Sequence, residues 1–86
     1  MVATSFRLLR LDAVMQATGF KQTHLYEQTC SGLFPRAVKI GARAVAWPAH
    51  EVEAVIAARI AGMSDDDLRT LITELELQRT RIAVAA

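Results

Sequence analysis

A break in helical patterning near the middle of the chain most constrains its fold. Phe34-Pro35 interrupts a helical pattern, because proline lacks the amide hydrogen that the interior of a helix requires. Two short runs of alternating or β-branched residues follow at 38–40 and 44–46, and Gly41-Ala42-Arg43 lies between them. Two such runs joined by a tight turn predict a β-hairpin that carries an arginine at its tip.

Two short helices are predicted before this hairpin, after a short strand over 6–9. Apolar residues spaced three and four apart indicate a helix over 11–18. Gly19 can end this helix, because glycine readily adopts the left-handed conformation found at helix C-termini. The second helix spans about 22–30. Its apolar stripe is weak, so much of its surface should be exposed.

Two longer helices are predicted after the hairpin. A helix over about 49–61 has one apolar stripe, formed by Val52, Val55, Ile56 and Ile60. Ser64 followed by three aspartates is typical of a helix N-terminus. The serine hydroxyl can accept a hydrogen bond from a backbone amide, and acidic residues are favourable at the positive end of the helix dipole. The last helix should run from residue 65 to about residue 83.

The order of these elements predicts a mainly α fold with a small β-hairpin wing. We expect a winged helix-turn-helix domain over 1–62, followed by a C-terminal helix within 63–86. The major groove of DNA admits one α-helix. A neighbouring hairpin with a basic tip can contact phosphates or enter a minor groove. The element order therefore favours a DNA-binding module.

The two halves of the chain differ in charge. Residues 1–47 contain six basic and two acidic side chains, whereas residues 48–86 contain four basic and seven acidic ones. The formal net charge of the whole chain is only +1, which by itself predicts no partner. The uneven distribution predicts one surface that binds a polyanion.

The composition gives little support for an enzyme, a metal site or a membrane protein. The sequence contains no glycine-rich phosphate loop and no nucleophile-base motif. His24, His50 and Cys30 do not match a zinc-binding spacing. No apolar run approaches the roughly 20 residues that cross a bilayer. The single cysteine fits a reducing compartment, and no signal-peptide pattern opens the sequence, so we expect a cytoplasmic protein without cofactor or small-molecule effector.

Five segments of the chain match a known pattern: RLLRLDAV at 7–14, TGF at 18–20, HLY at 24–26, GLFPRAVKIGARAVAW at 32–47 and EVEAVI at 51–56. Together they resemble the AlpA-type regulators, which are prophage-linked relatives of phage excisionases with a MerR-like winged-helix fold. The resemblance covers roughly residues 6–61, and its most specific part lies between Phe34 and Trp47. It implies transcriptional regulation, or a role in directing the excision of an integrated element.

The resemblance assigns the second predicted helix as the recognition helix. Lys21 and Arg43 match positions expected near the DNA backbone, with Arg43 at the wing. Arg36 and Lys39 flank the wing, where each could contact phosphate or keep an edge strand soluble. The outward side chains of the recognition helix would be Gln22, Thr23, Tyr26 and Glu27.

Three residues of this helix depart from the family pattern. Family members usually carry a basic residue where Glu27 stands, and aliphatic residues where Gln28 and Thr29 stand. Glu27 could accept a hydrogen bond from a cytosine amino group, or it could weaken binding. Tyr26 could stack on the DNA backbone or cover Phe34.

The last predicted helix extends beyond the resemblance and carries an apolar stripe at heptad-like spacing. The stripe could fold back on the preceding helix of the same chain, or it could form a seam between two copies. We expect a homodimer, because a core this small would leave the long last helix under-buried. The residues predicted for self-association are Leu68, Leu71, Leu75 and Ile82.

The sequence therefore favours a small sequence-specific DNA-binding protein with double-stranded DNA as its partner. Its role would be that of a transcriptional regulator or an excision directionality factor. One alternative is a DNA-packaging subunit of the small-terminase kind, which can also join a winged helix to an oligomerisation helix. Another is a protein-interaction module on the same fold, which the atypical recognition helix suggests.

Overall fold

The computed structural model describes residues 6–85, and the side chains as far as residue 82. The chain is mainly helical with a small three-stranded antiparallel sheet, in agreement with the predicted winged helix-turn-helix. The elements in chain order are β1 (Leu8–Leu9), α1 (Leu11–Thr18), α2 (Gln22–Cys30), β2 (Val38–Lys39), β3 (Val45–Pro48), α3 (Ala49–Ile60) and α4 (Asp65–Ala85).

A glycine and a threonine build the turn between α1 and α2. Gly19 has a φ of 77°, and its amide donates a hydrogen bond to the Met15 carbonyl at 2.8 Å. The Thr18 hydroxyl donates to the Val14 carbonyl at 2.8 Å and accepts from the Phe20 amide at 3.1 Å. Because these signals are local in sequence, both helices have the predicted bounds.

The predicted hairpin is present, and β1 completes its sheet. The strand order is β1-β3-β2, with Lys39 opposite Val45 in the hairpin. The Ile40 amide donates to the Ala44 carbonyl at 2.9 Å, which closes the turn that carries Arg43. The central position of β3 means that the hairpin is supported by β1 on the side away from β2.

The core lies where the sheet meets the helices. Trp47 on β3 is buried, and its Nε1 donates to the Pro35 carbonyl at 3.1 Å, as a buried indole requires. Phe20 packs edge-on against Phe34, with 6.4 Å between the ring centroids. The buried cluster consists of Val14, Leu25, Leu33, Phe34, Trp47, Val52, Val55, Ala58, Leu68 and Ile72.

The inward face of α3 differs from the predicted stripe at one end. Val52 and Val55 are buried, as expected, but Ile60 is 82% exposed. The chain turns at Gly62, which has a φ of 78°, and α4 packs back on the face that includes Ala58. The prediction that Ile60 belongs to the inward stripe is therefore wrong, because α4 covers the side of α3 that includes Ala58 and leaves Ile60 exposed.

Helix α4 begins as predicted and folds back onto the chain. The Ser64 hydroxyl accepts the Asp67 amide at 3.2 Å, which caps the helix. Leu68 is only 1% exposed and Ile72 joins it in the core, while Leu71 and Leu75 pack against that core.

The stripe of α4 thus contributes to the chain's own core in this structure. Self-association through it stays a prediction, and so does the division of the chain at residue 62. The buried cluster itself contains residues from both sides of that boundary. Among the described residues, no helix combines the length and apolarity needed to span a membrane.

Candidate nucleic-acid interface

The outer face of α2 is polar and open to solvent. Leu25 is the residue that α2 buries, and it points into the core. Residues 22, 23, 26 and 27 lie on one face because they are spaced by helical turns. All four of the predicted recognition residues are exposed: Gln22, Thr23, Tyr26 and Glu27.

Tyr26 is 47% exposed and so keeps much of its ring available to a partner. The ring that packs edge-on against Phe34 is that of Phe20. The structure thus gives the covering role, which the sequence left open for Tyr26, to Phe20. Tyr26 remains one of the surface residues of α2.

Gln28 and Thr29, where the resemblance leads us to expect aliphatic residues, form hydrogen bonds, of which that of Gln28 reaches α3 and that of Thr29 stays within α2. The Arg59 guanidinium of α3 donates a hydrogen bond to the Gln28 side-chain oxygen. The same guanidinium lies over the Phe20 ring, 5.8 Å from its centroid. The Thr29 hydroxyl donates to the Leu25 carbonyl at 2.9 Å. Two of the three departures from the family pattern therefore have internal hydrogen-bond partners.

The hairpin presents basic side chains beside its tip. Lys39 on β2 and Arg43 in the turn are both exposed, as is Lys21 at the start of α2. Within residues 6–82, none of these three forms an ion pair. Their charges are therefore available to phosphate groups, which are the commonest protein contacts on DNA.

Arg36 differs from these cations because it is already paired. Its Nη2 lies 3.2 Å from Glu76 Oε1, and its backbone amide donates to Glu76 Oε2 at 2.9 Å. Burial would raise the pKa of Glu76, but the hydrogen bonds and charge of Arg36 outweigh it and leave that pKa below its ordinary value. Arg36 stays a predicted DNA contact, although its side chain, 78% exposed, is shared with α4.

A buried ion pair connects α4 with the start of α3. Glu51 is fully buried, and it accepts hydrogen bonds from Arg79 at 2.9 Å and 2.6 Å. The hydrogen bond to Glu51 raises the pKa of Arg79 against the opposing effect of burial. This pair was not predicted from the sequence. Its signal was the spacing of Glu51 with Val55 and Ala58, which places the carboxylate on the inward face of α3.

Arg69 of α4 contacts the end of α2. Its Nε donates to the Ser31 carbonyl at 2.8 Å, and its Nη1 lies 3.4 Å from Asp66 Oδ1. Gly32 follows with a φ of 77°, and the Leu33 amide donates back to the Gln28 carbonyl at 2.8 Å. The end of α2 is therefore tied to α4 as well as to its own last turn.

The described residues contain no group of three or more histidine, cysteine or acidic side chains arranged to hold a metal ion. The chemistry that this surface offers is hydrogen bonding from α2 and positive charge from the hairpin. Both suit contact with a nucleic acid.

Comparison with known proteins finds one matching family and one similar phage protein. The family described as "Prophage CP4-57 regulatory protein (AlpA)" matches residues 7–60, and it is a family of regulators rather than of enzymes. An uncharacterized protein, ORF88 of Enterobacteria phage P4, is 42% identical over 59 residues, which cover 69% of this chain and 67% of that protein. No solved structure matches the chain significantly.

Proposed function

The chain belongs to the AlpA family of prophage regulatory proteins, and we propose that it binds duplex DNA in a sequence-specific manner. In this proposal α2 lies in the major groove and the hairpin contacts the adjacent backbone. The protein then acts in the cytoplasm as a transcriptional regulator, or as a factor that directs excision of a mobile element. Both roles begin with the same binding event.

The exposed polar face of α2 is the observation that carries the proposal. A helix that buries only Leu25 among its nine residues presents most of its surface to a partner. The major groove is wide enough for one helix of this kind. The preceding helix α1 packs on α2 and on α3, so it can brace α2 with its polar face turned to solvent.

The side chains on this face suit base recognition. Glutamine can form two hydrogen bonds with adenine, which gives Gln22 a role, and a carboxylate can accept from cytosine, which gives one to Glu27. The methyl group of Thr23 can contact thymine, and the ring of Tyr26 can stack on a sugar. Each well-formed base contact contributes discrimination on the order of 1–3 kcal/mol.

Lys21, Lys39 and Arg43 supply the contacts to phosphate in this proposal. Each neutralised phosphate releases bound counterions, so the affinity should fall with salt at a logarithmic slope of roughly −0.9 per contact. A binding curve that is insensitive to salt would argue against this arrangement.

The proposal is tested by selecting bound fragments from the DNA of the surrounding mobile element, followed by a mobility-shift titration of the enriched duplex. We expect enrichment of one motif, with affinity for it at least about 10³-fold above that for unrelated duplex. The variant Gln22→Ala should lose preference at one base pair, whereas Glu74→Gln on the exposed side of α4 should not. Absence of DNA binding even at low salt would overturn the proposal.

Homodimerisation is a separate proposal with a narrower basis. Leu68 is enclosed in the chain's own core, so pairing through the full predicted seam would require α4 to leave that core. Leu71, Leu75 and Ile82 are half-buried and keep part of their surface. A mass measurement in solution, with and without the selected duplex, tests whether two chains associate. A larger closed oligomer would instead favour a packaging subunit.

A further inference from the structure

We propose that α4 positions the two DNA-contacting elements relative to each other. It does so by immobilising the linker between them, residues 31–37, which joins α2 to β2. The immobilisation of the linker is independent of the proposed function. Only its consequence for DNA binding rests on that function.

The first end of the linker is held by Arg69. Its Nε donates to the Ser31 carbonyl at 2.8 Å, directly after the last residue of α2. The aliphatic part of the same side chain lies across Gly32, where a Cβ atom would stand 3.6 Å from Arg69 Cγ. The backbone therefore leaves α2 along a path that α4 defines.

The second end of the linker is held at Arg36, whose backbone amide and carbonyl both form hydrogen bonds with side chains of α4. The Arg36 amide donates to Glu76 Oε2 at 2.9 Å, and the Arg36 carbonyl accepts from Arg79 Nη2 at 2.7 Å. Arg79 is itself fixed by the fully buried Glu51. Hydrogen bonds from charged side chains to the backbone are stronger than neutral ones, and they fix the path of the chain directly.

The middle of the linker is buried between α4 and the hairpin. Phe34 packs in the core together with Ile72 of α4, and the Pro35 carbonyl accepts Nε1 of Trp47 on β3. The α4 residues that reach the linker are spaced by three, four and three positions. Such spacing places them on one face of the helix. These residues are Arg69, Ile72, Glu76 and Arg79.

The consequence for DNA binding follows from entropy. When α2 and the hairpin are held at one orientation, both contact a duplex without further ordering of the chain. A mobile linker would have to be ordered during binding, at a cost that weakens affinity by about tenfold or more. Residues of α4 that do not contact DNA would in this way determine how much Arg43 contributes to DNA affinity.

The test uses the full chain with Arg69→Met and Glu76→Gln combined, which leaves the net charge unchanged. The matched control combines Arg81→Met and Glu74→Gln, the same chemical changes at exposed positions of α4. Amide hydrogen exchange is measured by NMR without DNA. We expect linker and β2 amides to exchange at least about tenfold faster in the test variant, with α3 amides and the control unchanged. Unchanged linker exchange overturns the proposal, whether or not the protein binds DNA.

A double-mutant cycle with Arg43→Ala then measures the effect on DNA binding. In the native chain Arg43→Ala should weaken binding to the selected duplex roughly tenfold, and in the Arg69→Met/Glu76→Gln background the same substitution should cost clearly less. General destabilisation would lower DNA affinity by the same factor with and without Arg43→Ala. The cost of Arg43→Ala would then be unchanged. Faster linker exchange with an undiminished cost of Arg43→Ala would overturn the positioning role. Failure of the native chain to bind any DNA would instead refute the proposed function.

Discussion

The cations of the hairpin differ in their surroundings from three arginines of α3 and α4. Lys39 and Arg43 project into solvent, and within residues 6–82 neither forms an ion pair. Arg59, Arg69 and Arg79 each hydrogen-bond to another part of the same chain. Basic residues of one small protein therefore fall into two groups: some are exposed and form no ion pair within residues 6–82, and others connect parts of the chain.

Loss of Arg79 should show the largest effect, on stability. Arg79→Met leaves the fully buried Glu51 without its partner, and removing one member of a buried pair costs about 3 kcal/mol. Urea denaturation of Arg79→Met against Arg81→Met measures this cost, since the second arginine is exposed on the same helix. Recovery of stability in Glu51→Gln/Arg79→Met would identify the unpaired carboxylate as the cause. Equal stability of the two single variants would contradict the assignment.

Loss of Arg43 should leave stability unchanged and reduce DNA affinity. We expect Arg43→Ala to weaken binding roughly tenfold and to reduce the salt slope by about one. Arg81→Ala removes the same charge from α4 and serves as the control. If both variants lose affinity equally, net charge rather than a local contact is responsible, and the contrast between the two groups of cations fails.

Loss of Arg59 should have a smaller and local effect. Arg59→Met removes the hydrogen bond to Gln28 and the contact over the Phe20 ring, which together contribute about 1 kcal/mol at an exposed site. Hydrogen exchange should become faster in α2 and stay unchanged in α4. Faster exchange throughout the molecule would show that Arg59 has a wider role than the anchoring of α2.

The smallest effect concerns pH. Because the pKa of Glu76 is lowered from 4.5 in the folded chain, its pairing with Arg36 contributes stability above that value. The contribution is lost as the pH falls through the lower folded pKa. Since Arg36 is 78% exposed, we expect about 0.5 kcal/mol. The difference in free energy of unfolding between the native chain and Glu76→Gln should be constant near neutral pH and vanish in acid. A constant difference at all pH values would contradict this.

Local sequence signals were sufficient to predict most of the fold. Gly19 marks the end of α1, Pro35 separates α2 from the hairpin, and Trp47 belongs to the core as its type suggests. Each of these signals acts through the backbone conformation or the hydrophobicity of one residue. Ile60 was predicted wrongly because its burial depends on which side of α3 the next helix covers.

The paired arginines could not be predicted in the same way. Arg79 and Glu51 are 28 residues apart, and Arg36 and Glu76 are 40 apart. Such pairs form only after α4 has packed back, so a local pattern can place Glu51 on the inward face of α3 but cannot identify its partner. Exposure of the predicted recognition residues is visible in the structure. Their contacts with bases and phosphates stay predictions, because those contacts depend on the sequence and position of the bound duplex.

The position of α4 over the linker has a consequence for how proteins of this kind diversify. The family match ends at residue 60, but the side chains that hold the linker lie between residues 69 and 79. If α4 immobilises the linker as proposed, two relatives with the same residues 7–60 and different tails would differ in how firmly the hairpin is held relative to α2. DNA affinity could then evolve, or be engineered, by exchanging tails alone, and a chimera that keeps its parent's affinity would have to inherit α4 together with the linker.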